Sequence, residues 1–371
     1  MNYLAEILSL VEAAVAGDRK RGTSYAQLLA DKLAADGQEK AAERIRRAIT
    51  SSPLAKVTAA DVNLVRERLP VDSESRLSLA DELLIPKGDA EVFLDDAAER
   101  EISEFVSYVE AQDMLVAEGV GIDASLLLFG PPGTGKTEIA RTIASRLRLP
   151  LITARVDTLI SSFLGSTSKN IRLLFDHVAE RRCVLFLDEL DAIAKLRDDR
   201  QELGELKRVV VSLLQNIDVI QKHTVLVAAT NHEHLLDPAV WRRFAYKVRI
   251  DLPKEPARRK MFEKFLANDA SPRDLDKYAK ASDGLSGSDI RQLCEAARRA
   301  AVVARLPEIP RTAVLRRLLA QSVKGKELSS IDLIRHAKRK FPGVYTHRDL
   351  AELFDMSPGN VTHLLKKSKK V

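Results

Sequence analysis

The sequence predicts an α/β fold, a parallel five-stranded sheet between helices, followed by an α-helical lid and with helical additions at the N- and C-terminal ends. Three observations predict it. From about residue 125 to 252, short apolar runs alternate with longer helical segments. A glycine-rich octapeptide, Gly130-Pro131-Pro132-Gly133-Thr134-Gly135-Lys136-Thr137, joins the first of these runs to its helix. After Pro253 the patterning is helical alone.

The elements follow in order. Residues 1–50 read as an N-terminal helical domain, with apolar residues at helical spacing over Tyr3 to Ala16, Ser24 to Ala35 and Glu39 to Ile49. Residues 51–89 open on Ser51-Ser52-Pro53 and read as a linker. Residues 90–252 read as the α/β nucleotide-binding domain. Asp95 to Glu118 is helical and stops at Gly119; then come the runs Leu126 to Phe129, Leu151 to Val156, Val184 to Leu187, Val225 to Ala229 and Val248 to Ile250. Unbroken apolar runs suit strands buried on both faces. Residues 253–328 read as the lid, with helices over Pro256 to Asn268, Leu275 to Ala281, Ser288 to Arg305 and Pro310 to Gln321. Residues 329–371 read as a basic, helix-turn-helix-like C-terminal domain.

Composition bounds the function. A chain of 371 residues can build two or three domains with real cores. No apolar run approaches the roughly 20 residues of a membrane span, so no membrane partner is expected. The start, MNYLAEILSLVEAAVAGDRK, has Glu6 and Glu12 but no basic leader, and reads as an amphipathic helix and not as a signal peptide. Cys183 and Cys294 make a disulfide framework implausible, and no Cys/His cluster has zinc spacing, so a reducing, cytoplasmic setting is expected. The net charge is +6, and nine Lys/Arg against three acids from Arg335 onward put as much net charge in the tail as in the whole chain. That asymmetry points to an acidic partner or to a solvated tail.

The octapeptide fits G-x-x-x-x-G-K-[ST]. Its glycines let backbone N–H groups turn inward around phosphate oxygens, and the following helix adds its positive end. Lys136 would reach the β- and γ-phosphates of ATP, and Thr137 would offer its hydroxyl to Mg²⁺. The run Val184-Leu185-Phe186-Leu187 ends in Asp188-Glu189, two carboxylates at a strand's carboxyl end, where open α/β sheets bind ligands. Asp188 would hold Mg²⁺, and Glu189 would act as general base on the attacking water.

GPPGTGKT, FLDELDAI, AATN and GLSGSDI together resemble the AAA+ superfamily in order and approximate spacing, over about residues 90–305. The resemblance implies a P-loop AAA+ core. Asn231 matches the polar residue, sensor 1, that positions the lytic water. Asp237-Pro238-Ala239-Val240-Trp241-Arg242-Arg243-Phe244 is similar to the stretch carrying arginine fingers in the spastin, katanin and ESCRT-disassembling ATPases. Arg242 and Arg243 would then act on a neighbouring subunit's ATP, which implies an ATP-dependent homo-hexamer. Gly287 stands where other branches carry a sensor-2 arginine, and nearby Arg291 is out of register for that role.

Phe163, Leu164 and Gly165 follow the second strand, at the position of the central pore loop in relatives that thread protein substrates. There, Phe163 and Leu164 would grip an extended polypeptide and Gly165 would let the loop bend. The tail gives a competing signal. Leu350, Ala351, Phe354, Val361 and Leu364 have the spacing of a helix-turn-helix core, with Asp355 in the turn, and the second helix would offer Asn360, Thr362, His363 and Lys366 to DNA. The layout also bears a loose likeness to bacterial ATPases encoded beside a subtilisin-like serine protease, which implies a separate protease partner in a defence or toxin–antitoxin pair. Two functions stand open: an ATP-driven protein remodeller or unfoldase, and a DNA-associated, ATP-driven regulator.

Overall fold

The computed structural model describes residues 69–72, 75–86, 88, 90–159, 164–179, 181–195, 203–220, 224–323 and 328–367, with helical turns at 29–33 and 41–43 and residue 39. The chain divides into a unit of residues 1–68 and a unit of 69–371. Most of the helical domain expected over 1–50 lies outside the described residues.

The second unit opens with β1 (Ala80–Leu83), α1 (Asp96–Glu110) and α2 (Gln112–Ala117). It alternates through β2 (Ser125–Phe129), α3 (Lys136–Leu147), β3 (Leu151–Ala154), α4 (Val156–Leu159), α5 (Leu164–Ala179), β4 (Val184–Leu187), α6 (Leu190–Lys195), α7 (Leu203–Val219) and β5 (Val225–Thr230). α8 (Pro238–Arg242) and β6 (Tyr246–Arg249) complete the α/β part. The strand order is β1-β3-β4-β5-β2-β6, with β1 antiparallel and the other five parallel.

The unbroken apolar runs are explained by two faces. Leu127, Leu185, Leu187, Leu226 and Ala228 pack into one core with α5 and α7. Leu126, Leu128, Val184, Phe186, Val225 and Val227 pack into another with α1 and α3. Alternate residues of one strand therefore lie in different cores, and both must be apolar.

The sheet has one strand more than expected. β1 lies inside the stretch read as linker and pairs with β3 through Ala80↔Ala154 and Leu83↔Leu151. Its sequence, Ala80-Asp81-Glu82-Leu83, is half exposed, so it lacks the apolar run that marks a buried strand.

The lid comprises α9 (Glu255–Leu266), α10 (Pro272–Ala281), α11 (Gly287–Val303) and α12 (Arg311–Val323); α13 (Ser330–Lys340), α14 (His347–Leu353) and α15 (Pro358–Lys367) follow. Ser271, Ser286, Ser329 and Thr346 cap four of these helices, each accepting the N–H of an Asp three residues on. The boundary read at 328/329 does not separate two cores. Phe262, Tyr278, Leu315 and Leu318 of the lid share one cluster with Ile334, Tyr345, Leu350 and Val361. Lys277 Nζ donates to buried Asp349 Oδ2 at 2.9 Å, and Arg311 pairs with Asp349 as well. Short amphipathic helices cannot close a core alone, and these close it against the lid. No helix of the described residues is long and apolar enough to cross a membrane.

Candidate active site

β4, β5 and β2 are neighbours, and their carboxyl ends are in register: Leu187 lies beside Ala228, and Phe129 beside Thr230. The chain leaving each end is the glycine-rich loop, Asp188-Glu189, and Asn231. Three motifs far apart in sequence therefore emerge side by side.

Two loop glycines are required by positive φ and by close neighbours, backbone at one and side chain at the other. Gly130 has φ 137°, and a Cβ there would lie 2.3 Å from the Ile250 carbonyl oxygen. Gly133 has φ 74°, and its Cβ would meet Ser286 Oγ at 2.7 Å. Thr134 Oγ1 donates to the Pro131 carbonyl at 2.9 Å. Pro132 lies in a turn, and Gly135, φ 97°, leads into α3.

Lys136 is buried, and its ammonium donates to the carbonyls of Gly130 at 2.9 Å and Pro131 at 2.8 Å. Burial lowers its pKa, while Asp188 and Asp191 act in the opposite direction. Thr137 Oγ1 donates to Asp188 Oδ2 at 2.8 Å, and Asp188 Oδ1 accepts the Glu189 N–H at 2.9 Å. A hydroxyl and a carboxylate oxygen this close suit Mg²⁺, which prefers hard oxygen ligands and takes the rest from phosphates and water. Glu189 has φ 51°, a left-handed backbone uncommon for a residue with a Cβ.

Gly133 to Thr137, Asp188 and Glu189 line one cavity of about 350 Å³ with Asn231, while Gly130, Pro131 and Pro132 stand outside its lining. Other walls escaped the sequence reading: Glu91, Val92 and Phe93 ahead of α1, and Met261 and Phe265 from the lid. Residues 91–93 carry no motif or period that could have marked them. Arg291, out of register for a sensor-2 role, nevertheless stands on the cavity wall, 5.3 Å over the Phe265 ring and 3.8 Å from Glu138 Oε1. The Ser288 N–H donates to the Gly133 carbonyl at 3.0 Å, so the lid is bonded directly to the loop.

The two candidate fingers do not join this cavity. Arg242 and Arg243 border a second hollow of about 330 Å³ with Ala124, Ser125 and Thr224, at the amino ends of β2 and β5. That is the opposite end of the sheet. Arg243 is held there by both oxygens of Asp218. Phe163 lies outside the described residues. Leu164 and Gly165 are the first residues of α5, so Gly165 is helical here and not a loop hinge.

At the C-terminal end, Asn360, His363 and Lys366 are exposed along α15. Thr362 is not offered outward. It follows buried Val361, is half-buried, donates to the Pro358 carbonyl at 2.9 Å, and lies 3.0 Å from His347 Nδ1.

Comparison with known proteins agrees with this layout. The AAA family, "ATPase family associated with various cellular activities", matches residues 126–252. An uncharacterized AAA family ATPase of Sinorhizobium fredii is 36% identical over 219 residues, 59% of this chain and 66% of that one. The proteasome-activating nucleotidase of Methanopyrus kandleri is 34% identical over 205 residues, 53% of this chain and 47% of that one. The chain thus spans about half to two thirds of the length of these relatives. The crystal structure of the FIGL-1 AAA domain in complex with ADP shares the fold at a TM-score of 0.56 and 23% identity, covering 78% of this chain and 99% of that one. With the motifs gathered on one cavity and the family match across the same strands, residues 126–252 of this chain are an AAA ATPase domain.

Proposed function

We propose that the chain hydrolyses ATP in an oligomeric ring, a hexamer by its family resemblance, and uses the cycle to remodel, unfold or thread protein substrates. The observation that carries this reading is a separation. Lys136, Thr137, Asp188, Glu189 and Asn231 share one cavity, while Arg242 and Arg243 stand at the far end of the same sheet. A site complete in both parts then takes two subunits.

In that site Lys136 exchanges its two carbonyl partners for β- and γ-phosphate oxygens. Mg²⁺, held by Thr137 and Asp188, would supply charge neutralisation between those phosphates. Glu189 accepts the proton of the attacking water and Asn231 orients that water. The neighbour's Arg242 and Arg243 offset the charge developing on the γ-phosphoryl group, a contribution of about 10³–10⁵ in rate in related chemistry. Phe163 and Leu164 would carry the motion to a polypeptide.

The test is ATPase rate against protein concentration, with the ATP-bound mass of wild type, Glu189→Gln and Arg243→Ala. The reading expects a steep rise with concentration, two inactive variants, and a ring trapped by Glu189→Gln. A monomer that hydrolyses ATP at full rate with Arg243→Ala would overturn it. A separate subtilisin-like serine protease as partner rests on overall layout alone; the trapped ring failing to retain such a protease expressed beside it would remove that part. The alternative, a DNA-associated regulator, needs a nucleic-acid surface away from the ATP cavity, and α15 is the candidate for it.

A further inference from the structure

The helices after the lid form a helix-turn-helix. Leu350, Ala351 and Val361 are buried between α14 and α15, with Phe354 and Leu364 packed against them. Asp355 closes the turn in the left-handed conformation, φ 51°, as a short polar side chain tolerates better than most. Ser357 Oγ accepts the Asn360 N–H at 3.2 Å at the start of α15. α15 packs on α14 and α13, and α14 packs on α12. The Arg316 guanidinium donates to the Leu353 carbonyl at 2.9 Å, and Lys277 and Arg311 converge on Asp349. The motif is therefore built into the lid and does not hang from a tether.

What remains of α15 faces outward. Asn360, His363 and Lys366 are exposed on α15 and, at 3.6 residues per turn, share a sector of about 120°; exposed Ser357 stands just ahead of the helix. Pro358 and Gly359, also exposed, are small. The contact between Thr362 and His347 sets the start of α14 against α15, and exposed Arg348 is the next residue of α14. Among the described residues, the side chains of Arg348, Asn360, His363 and Lys366 have no ion-pair or hydrogen-bond partner. From Pro358 onward the sequence has four lysines and no Asp or Glu.

We propose that this face binds double-stranded DNA, with α15 in the major groove. A helix fits that groove, where an Asn side chain can pair with adenine and Lys or Arg with phosphates or guanine. The chemistry of the face favours nucleic acid over protein. Protein interfaces centre on large apolar or aromatic anchors. None of the large, exposed apolar side chains of the described residues lies beyond Ile331. α15 itself is polar, cationic and free of carboxylates, as a phosphate-lined groove favours, while the exposed Glu352 and Asp355 stand on α14 and in the turn. The proposal goes beyond the remodelling reading and does not depend on it.

The experiment is fluorescence anisotropy of the full chain on a labelled mixed-sequence duplex of about 30 base pairs, at salt between about 50 and 200 mM. Wild type is expected to bind, with affinity falling linearly in log–log salt. Arg348→Ala and Lys366→Ala should each flatten that slope by about one. Asn360→Ala should weaken binding severalfold with the slope unchanged, and Lys366→Glu by tenfold or more. ATPase rate and melting temperature, measured on the same samples, should stay at wild-type values. No binding by wild type at the lowest salt would overturn the proposal. Binding untouched by Arg348→Ala and Lys366→Glu, or polyglutamate held as tightly as the duplex, would overturn it too.

Discussion

Arg243 and Asp218 are joined as a fork: Nε lies 2.6 Å from Oδ1, and a terminal nitrogen 2.9 Å from Oδ2. Both side chains remain partly exposed, so the pair orients the guanidinium more than it stabilises the fold. Asp218 then acts only through Arg243. The expected result is a non-additive cycle: Asp218→Ala lowers the ATPase rate in wild type and adds no loss once Arg243 is Ala. Steady-state ATPase rates of the four proteins decide it, and additive losses would give Asp218 another role.

Arg291 is expected to act in nucleotide binding and not in the chemical step. It stands on the lid side of the cavity, over Phe265 and near Glu138. Arg291→Ala should raise KM for ATP roughly 3–10-fold, as for the loss of about 1 kcal/mol of charge interaction with the bound nucleotide, with kcat near wild type. A fall in kcat at unchanged KM would mean that Arg291 acts in the transition state.

Gly130→Ala should destabilise the loop by several kcal/mol, since the new Cβ would lie 2.3 Å from the Ile250 carbonyl oxygen and must displace β6 or the loop. Thermal unfolding with and without ATP measures it. A variant that melts at the wild-type temperature and keeps its nucleotide-induced shift would contradict this geometry.

The two thiols give a prediction in pH. Burial pushes Cys183 up to about 11 and Cys294 up to about 12, from an ordinary 9.0. A folded pKa above the unfolded one favours the folded state in full below 9.0, and the benefit fades as pH rises toward 11 and 12. Stability should therefore fall on the alkaline side beginning near pH 9, more gently in Cys183→Ala/Cys294→Ala when each curve is normalised to its own value at pH 7. At pH 8 both native thiols should resist a thiol reagent and react once the chain is unfolded.

Loss of Asp349 should be costly for a buried reason. Asp349→Ala removes the partner of Lys277, one of the three acids around Arg311, and one half of the Thr346 cap. About 3–5 kcal/mol is expected, read from urea unfolding of the full chain. A smaller loss for Asp349→Asn, which keeps the cap's shape, would separate charge from capping.

The parts of this molecule that were legible in the sequence share one property. Lys136, Asp188 and Asn231 each stand just past a buried apolar run, so the strand and its functional end appear together in the sequence. Asp355 was legible as a turn residue because a helix-turn-helix leaves a fixed gap between its apolar positions. Val92, Phe93, Met261 and Phe265 were not, because a cavity wall assembled from distant segments imposes no local period. The Arg243–Asp218 fork was hidden too: 25 residues separate its partners, and no spacing rule links them.

β1 also bears on where the ATPase domain can be cut. It hydrogen-bonds to β3 as an edge, and Glu82 fastens it through the half-buried Arg181 at 3.0 Å. Starting the polypeptide at residue 90, the boundary the sequence pattern suggests, would remove that cover. Leu151–Ala154 would then present a row of unsatisfied backbone groups, a template for edge-to-edge pairing between molecules. A fragment begun there should precipitate on concentration, whereas one begun at Leu69 should stay dispersed.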